Sequence, residues 1–152
     1  MENSGINGVK VNRVQVKRMD ARAVLPVRAH ADDAGMDLHC LEGVTIPAGE
    51  GLKLRTGIAL AIPKGFVGMV ADRSSMAARG LKTAGGIIDA GYRGEIHIVI
   101  RNLTEQSVEF QAGERIAQLL ILPIVTPALE AVEEFSDPST TRGAGGFGST
   151  GR

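Results

Sequence analysis

Between Leu52 and Ile62 the residues Leu52, Leu54, Thr56, Ile58, Leu60 and Ile62 hold one parity without a slip. Successive side chains on a pleated strand point to opposite faces, so a period of two sustained this long buries its apolar set only as β structure. Shorter runs repeat the pattern. Val9, Val11, Val14 and Val16 alternate with polar residues and slip phase near Asn12-Arg13, which predicts an opening strand with a bulge. Leu25 to Asp33 reads as irregular. Met36, Leu38 and Cys40 then share one side of a strand, opposite Asp37, His39 and Leu41. After the turn at Pro63-Lys64-Gly65, Phe66 to Val70 returns the chain. Ile96, Ile98 and Ile100 alternate with His97, Val99 and Arg101, and Val108 and Phe110 mark a short strand before an Ala112-Gly113 turn. Arg115 to Val125 is nearly continuously apolar after Arg115, broken by Gln118 and Pro123, and predicts a strand covered on both faces. Only Ser74 to Gly80, with a serine cap, alanines and a closing glycine, suits a helix of one or two turns. Short strands separated by Gly or Pro turns at roughly ten-residue spacing predict an all-β sandwich or barrel, jelly-roll-like in architecture.

At 152 residues the chain is one domain by length, able to bury a core without disulfide or metal staples. That core rests on Ile, Leu, Val and Ala, because aromatics are 3% of residues and Trp is absent; stacking platforms for single-stranded nucleic acid are disfavoured with it. Lys plus Arg number 17 and Asp plus Glu 17, so no global field draws the protein to nucleic acid or an anionic membrane. An anionic ligand must be held by local donors. One cysteine excludes an internal disulfide, and with three dispersed histidines it gives no zinc spacing. Met1 to Gly8 lack a signal-peptide core and no run reaches membrane-spanning length, so a soluble cytoplasmic protein is expected. Cys40 is expected in the core, His30, His39 and His97 at the surface or a pocket rim without catalytic duty, and Asp32 and Asp33 in a solvated loop.

The segment Ala84-Gly85-Gly86-Ile87-Ile88-Asp89-Ala90-Gly91-Tyr92-Arg93-Gly94-Glu95-Ile96 sets one acid and one phenol among four glycines ahead of a strand. Its composition is that of a tight hairpin with exposed backbone. Taken alone, it is equally a slot for a flat polar ring or a glycine-rich turn with a solvated acid. The chain turns acidic from Glu130 to Asp137 and then small and polar, so residues 138–152 are expected as a flexible arm beside a β domain of residues 1–137. Glycines there free amides to wrap a phosphate, Ser149 and Thr150 add hydroxyls, Arg142 a planar cation, and Phe147 a ring to stack on a base.

Five segments stand in order: Ala34-Gly35-Met36-Asp37-Leu38; Arg73-Ser74-Ser75-Met76-Ala77; Gly86-Ile87-Ile88-Asp89 with Gly91-Tyr92-Arg93-Gly94; Gly113-Glu114-Arg115-Ile116-Ala117-Gln118-Leu119; and Arg142-Gly143 through Gly151. This ordered set closely resembles the five motifs of the trimeric dUTP diphosphatases, or dUTPases, over nearly the whole chain.

The resemblance implies a jelly-roll-like subunit, a homotrimer, and active sites at subunit interfaces, each completed by a C-terminal arm. By it, Asp89 activates the water that attacks the α-phosphorus of dUTP, releasing dUMP and pyrophosphate. Tyr92 would lie beneath the deoxyribose and exclude a 2′-hydroxyl, and the main chain around Gly86 and Ile88 would pair with uracil. Arg73, Ser74, Ser75 and Gln118 match positions that bind the nucleotide and assemble the site. Asp37 matches the acid that holds hydrated Mg2+ through water. Arg142, Gly148, Ser149 and Thr150 of the arm would clasp the γ-phosphate and Phe147 would cover the uracil.

Two positions depart from the family pattern. Gly91 stands where many members carry a second acid, which is expected to alter loop geometry without removing the base. Asp72 precedes Arg73 and could pair with it, loosening its hold on phosphate. The related dCTP deaminases share an Arg-Ser-Ser segment and a Thr-Ala-Gly, Ile-Asp, Gly-aromatic hairpin, similar to Thr83-Ala84-Gly85 and Ile88-Asp89-Ala90-Gly91-Tyr92. They place an essential glutamate five positions past the second hairpin glycine, where this chain has Val99. A bifunctional enzyme is disfavoured for the same reason, and a silent nucleotide-binding β protein would lack the base or the arm.

Overall fold

Alternating β-branched and leucine residues form many of the strands, and Gly57 and Gly85, both at positive φ, turn the chain after β4 and β7. The computed structural model describes residues 13–137, 140–141 and 143–144. In chain order the elements are β1 (Gln15–Arg18), β2 (Met36–His39), β3 (Val44–Ile46), β4 (Gly51–Arg55), β5 (Ile58–Ala61), β6 (Phe66–Ala71), α1 (Ser74–Ala78), β7 (Leu81–Ala84), β8 (Ile87–Ile88), β9 (His97–Asn102), β10 (Val108–Phe110) and β11 (Arg115–Pro123). The strands make four small sheets, β1-β5, β10-β3, β2-β11-β6-β8 and β4-β9-β7, with antiparallel pairing throughout. The expected all-β, jelly-roll-like architecture is what forms.

All four sheets feed one core. Leu38, Ile46, Leu54, Ile58, Val70, Leu81, Ile98, Ile100, Phe110, Ile116 and Leu119 belong to it, and Cys40 lies among them as expected, 2% exposed. Fully burying such a side chain contributes about 1.5–3 kcal/mol. A surface ion pair contributes about 0–1 kcal/mol, so the aliphatic core decides stability.

Three local expectations are revised, and a fourth, the opening strand, falls only partly within the described residues. The long alternating run is two strands, because the chain turns at Gly57 (φ +70) and changes partner from β9 to β1. Thr56 stays buried there by donating its Oγ1 hydroxyl to the Ile96 carbonyl at 2.6 Å. The opening strand begins at Gln15; Val9 and Val11 lie outside the described residues. In α1, Ser74 is the first helical residue and Arg73 the N-cap, without a side-chain capping bond, while Gly80 (φ +75) closes the helix as expected. Strand β11 is covered on both faces only at Ile116 and Ala117; from Leu120 to Leu122 it is half-buried.

Candidate active site

The glycine-rich segment does not fold back on itself as a hairpin. β8 pairs with β6, Gly68 opposite Ile88 and Met69 opposite Ile87, and forms the edge of the four-stranded sheet. Gly86 makes this possible. It takes φ +105, and a Cβ there would come within 2.9 Å of Val70 Cβ, while the Val70 amide donates to its carbonyl at 2.8 Å. Ile88 anchors the strand in the core at 7% exposure. An edge strand leaves half its main-chain donors and acceptors without a strand partner, and such groups can pair with a planar base.

Past β8 the loop turns so that the Tyr92 amide donates to the Asp89 carbonyl at 3.0 Å. The Tyr92 hydroxyl donates to the Glu95 carbonyl at 2.8 Å, folding the ring over Gly94, where a Cβ would lie 2.5 Å from Tyr92 Oη. A cleft of about 240 Å³ results, lined among others by Gly86, Ile88, Asp89, Tyr92, Glu95 and His97. Asp89 is exposed and faces this cleft, placing a carboxylate beside edge-strand backbone and an aromatic ring. His97 is at the rim, as expected.

Asp37, Arg73 and Gln118 gather in a second group. Asp37 on β2 receives Arg73 Nε on Oδ1 at 3.0 Å and Arg115 Nη1 on Oδ2 at 3.3 Å. Arg73 Nη1 also donates to the Arg115 carbonyl at 3.2 Å. Asp72 does not take Arg73: its carboxylate receives Lys82 Nζ, the Thr83 amide and the Thr83 hydroxyl, each at 2.7 Å. Partial burial would raise the Asp72 pKa, but these donors outweigh it and hold the carboxyl below the ordinary aspartate range. Gln118 Nε2 donates to the Asp72 carbonyl at 2.7 Å, and its Oε1 occupies the space a Cβ on Gly35 would need. Ser74 and Ser75 are exposed at the start of α1. Two residues along the same strand, burial lowers the pKa of His39 against the pull of the Asp37 charge.

Among the described residues no hydrogen bond or ion pair joins Asp89 or Tyr92 to Asp37, Arg73 or Gln118; Asp37 lies on β2 and Asp89 follows β8, the two outer strands of the four-stranded sheet. Arg142, Phe147, Gly148, Ser149 and Thr150 lie outside the described residues. No group of three His, Cys, Asp or Glu that could hold a metal occurs among the described residues. Magnesium needs no such cage when it arrives on a triphosphate, because it keeps several waters and takes phosphate oxygens. A single carboxylate at Asp37, reached through water, fits that demand.

Sequence reasoning passed over Glu95 and Arg115. Glu95 Oε1 accepts the Gly57 amide at 2.8 Å, and Arg55 Nε donates to the same carboxylate at 3.1 Å. Partial burial pushes the Glu95 pKa up, and Arg55 and the Gly57 amide bring it below the ordinary value. These partners lie about forty residues away in sequence, and only the register of β4 on β9 brings them together.

A dUTPase family model matches residues 21–151. The deoxyuridine 5′-triphosphate nucleotidohydrolase of Rhodococcus erythropolis is 42% identical over 142 residues, 91% of this chain and 85% of that protein. That of Solibacter usitatus is 43% identical over 147 residues, 92% of this chain and 97% of that one. Among solved structures, the Staphylococcus bacteriophage 80alpha dUTPase with dUPNHPP superposes with TM-score 0.88 at 36% identity, covering 93% of this chain and all of that one (100%). A phage phi11 dUTPase mutant from S. aureus, solved for the coordination of a structural Mg(II) ion, superposes with TM-score 0.77 at 32% identity, covering 82% of this chain and 99% of that one. With its edge-strand cleft, its cluster of Asp37 and two arginines, and these likenesses, the chain belongs to the dUTPase family.

Proposed function

We infer that this protein is a dUTP diphosphatase that hydrolyses dUTP to dUMP and pyrophosphate, limiting uracil incorporation into DNA and supplying dUMP for thymidylate synthesis. The observation that carries the mechanism is the exposed Asp89 carboxylate in the cleft that Gly86, Ile88 and Tyr92 also line.

In this reading Asp89 accepts a proton from a water as the water oxygen bonds to the α-phosphorus. The bond from that phosphorus to the bridging oxygen breaks, and pyrophosphate leaves. Uracil pairs with the outer edge of β8. Main-chain groups placed for uracil are left unpaired opposite cytosine, a mismatch that discriminates more strongly than one methyl group in an apolar pocket. Tyr92 packs beneath the deoxyribose where a 2′-hydroxyl would need room. Arg73, Ser74 and Gln118 contact the phosphates and help assemble the site, with Ser74 near the bridge that breaks, and Ser75 binds the substrate beside them. Asp37 would hold Mg2+ through water, and the bound metal would supply neutralisation of the phosphate charge. Arg142, Gly148, Ser149 and Thr150 of the 138–152 arm clasp the γ-phosphate, and Phe147 closes over the base, expelling water and strengthening the fixed dipoles of the site.

The groups read as phosphate-binding sit by β2 and the backbone read as base-binding is β8, opposite edges of one sheet, which suits a homotrimer with sites at subunit interfaces. Uncovered apolar side chains support it: Leu129 is 97% and Phe135 78% exposed, and a cleft of about 610 Å³ on the β1-β5 sheet is lined by Val16, Leu60, Lys17 and Arg93. Among the described residues no helix is long and apolar enough to cross a membrane.

A deaminase reading has no support at Val99, which sits on β9 between Lys53 and Ala84 with no carboxylate to shuttle protons. Incubation with Mg2+ and either dUTP or dCTP, assaying pyrophosphate and ammonia separately, separates the readings. Pyrophosphate from dUTP without ammonia from dCTP is expected; ammonia would favour a deaminase, and neither product a silent binder.

A further inference from the structure

Tyr92 is 46% exposed, so packing alone does not set its ring. Its hydroxyl donates to one described acceptor, the Glu95 carbonyl at 2.8 Å. His97 Nδ1 lies 3.1 Å from the same carbonyl, and the segment that carries it is fixed from behind. The Glu95 carboxylate accepts the Gly57 amide at 2.8 Å and the Arg55 guanidinium at 3.1 Å, and the next residue, Ile96, donates its amide to the Ile58 carbonyl at 2.8 Å. Gly57 turns the β4-β5 corner at φ +70, and a Cβ there would meet Ala23 Cβ at 2.9 Å and Leu41 Cδ1 at 3.0 Å, so the corner is packed and gives the loop a rigid seat.

We propose that Glu95 is the positioning residue for Tyr92: its carboxylate, seated on the Gly57 amide and Arg55, holds its own carbonyl where the Tyr92 hydroxyl donates, and thereby sets the ring against the sugar. The proposal rests on the reading of Tyr92 as the group that excludes a 2′-hydroxyl. An ion pair of purely structural value would add to stability without touching sugar preference. Glu95 differs because the same residue carries the charged anchor and the acceptor for the ring.

The chain has one tyrosine and no tryptophan, so intrinsic tyrosine emission reports on Tyr92 alone. Full-length Glu95→Ala, Glu95→Asp and Glu95→Gln are compared by emission anisotropy and by the ratio of kcat/KM for dUTP to that for UTP. Glu95→Gln keeps an oxygen for the Gly57 amide and is expected to keep both readouts. In Glu95→Ala anisotropy falls, and the ratio falls by roughly threefold to tenfold, as one lost hydrogen bond allows. Glu95→Asp, one methylene short of the Gly57 amide, moves the same way and serves if the alanine variant does not fold. Unchanged anisotropy in both shortened variants would overturn the proposal. A fall in anisotropy with unchanged sugar preference would instead overturn the sugar-excluding reading of Tyr92, and with it the functional half of the proposal, while leaving dUTP hydrolysis standing.

Discussion

Arg73 Nε lies 3.0 Å from Asp37 Oδ1, so the expected phosphate-binding cation and the expected metal-associated acid neutralise each other in the free protein. Arg115 takes the other oxygen of the same carboxylate. In the proposed reading an incoming magnesium triphosphate would offer each a better partner: phosphate for Arg73, the hydrated metal for Asp37. Asp37→Asn removes the charge the metal would meet. The Mg2+ concentration for half-maximal dUTP turnover should rise roughly tenfold, as for outer-shell partners of a metal, while the fold is retained. A magnesium titration checks this, and an unchanged midpoint would detach Asp37 from the metal.

Gly94 lies directly under the tyrosine. It is not among the positive-φ glycines, so its backbone accepts alanine, but the added Cβ would sit 2.5 Å from Tyr92 Oη and 2.7 Å from Cζ. The ring, half exposed, must move. Gly94→Ala should therefore lower the preference for dUTP over UTP by about tenfold while Tm changes little. Paired kcat/KM measurements on the two nucleotides test it.

The depressed Glu95 carboxyl makes stability depend on acid. Its folded pKa lies below the ordinary 4.5, so its contribution is fully present above 4.5 and is lost as pH falls through the lower folded value. Asp72 acts in the same direction from its ordinary 3.8. Glu95→Gln cannot titrate. Its denaturation midpoint should run parallel to wild type from neutral pH down to about 4.5 and fall less steeply below it. Parallel curves throughout would mean that Glu95 is not held as described.

Much of this was legible in the sequence, because alternation and glycine are local signals. The parity of Leu54, Ile58 and Leu60 marks strands whatever they pair with, and Gly80 and Gly113 mark turns by themselves. Pairing partners are another matter. Nothing in the run from Leu52 to Ile62 says that the chain changes sheets at Gly57, and nothing near Ile87 says that β8 joins β6 instead of β9. Candidate residues could be named from residue type and order. The Asp37–Arg73 pair, the capture of Asp72 by Lys82 and Thr83, and the seat of Glu95 on Gly57 are long-range contacts that register alone creates.

In the proposed reading residues 138–152 complete the site as an arm. Deleting residues 138–152 removes none of the described strands, so the β domain should stay folded by circular dichroism and the proposed trimer should persist by light scattering. Turnover of dUTP should fall by about a hundredfold or more, the order seen when fixed donors around a transition state are lost. Full activity in the truncated protein would refute the arm as a lid.

The most direct test is Asp89→Asn with dUTP and magnesium, measuring nucleotide affinity by calorimetry and pyrophosphate release in a single turnover. An amide of the same size cannot take the proton, so binding should be kept while release slows by about 10²–10⁴-fold. Release at the wild-type rate would contradict the account, because water would then be activated by some other group.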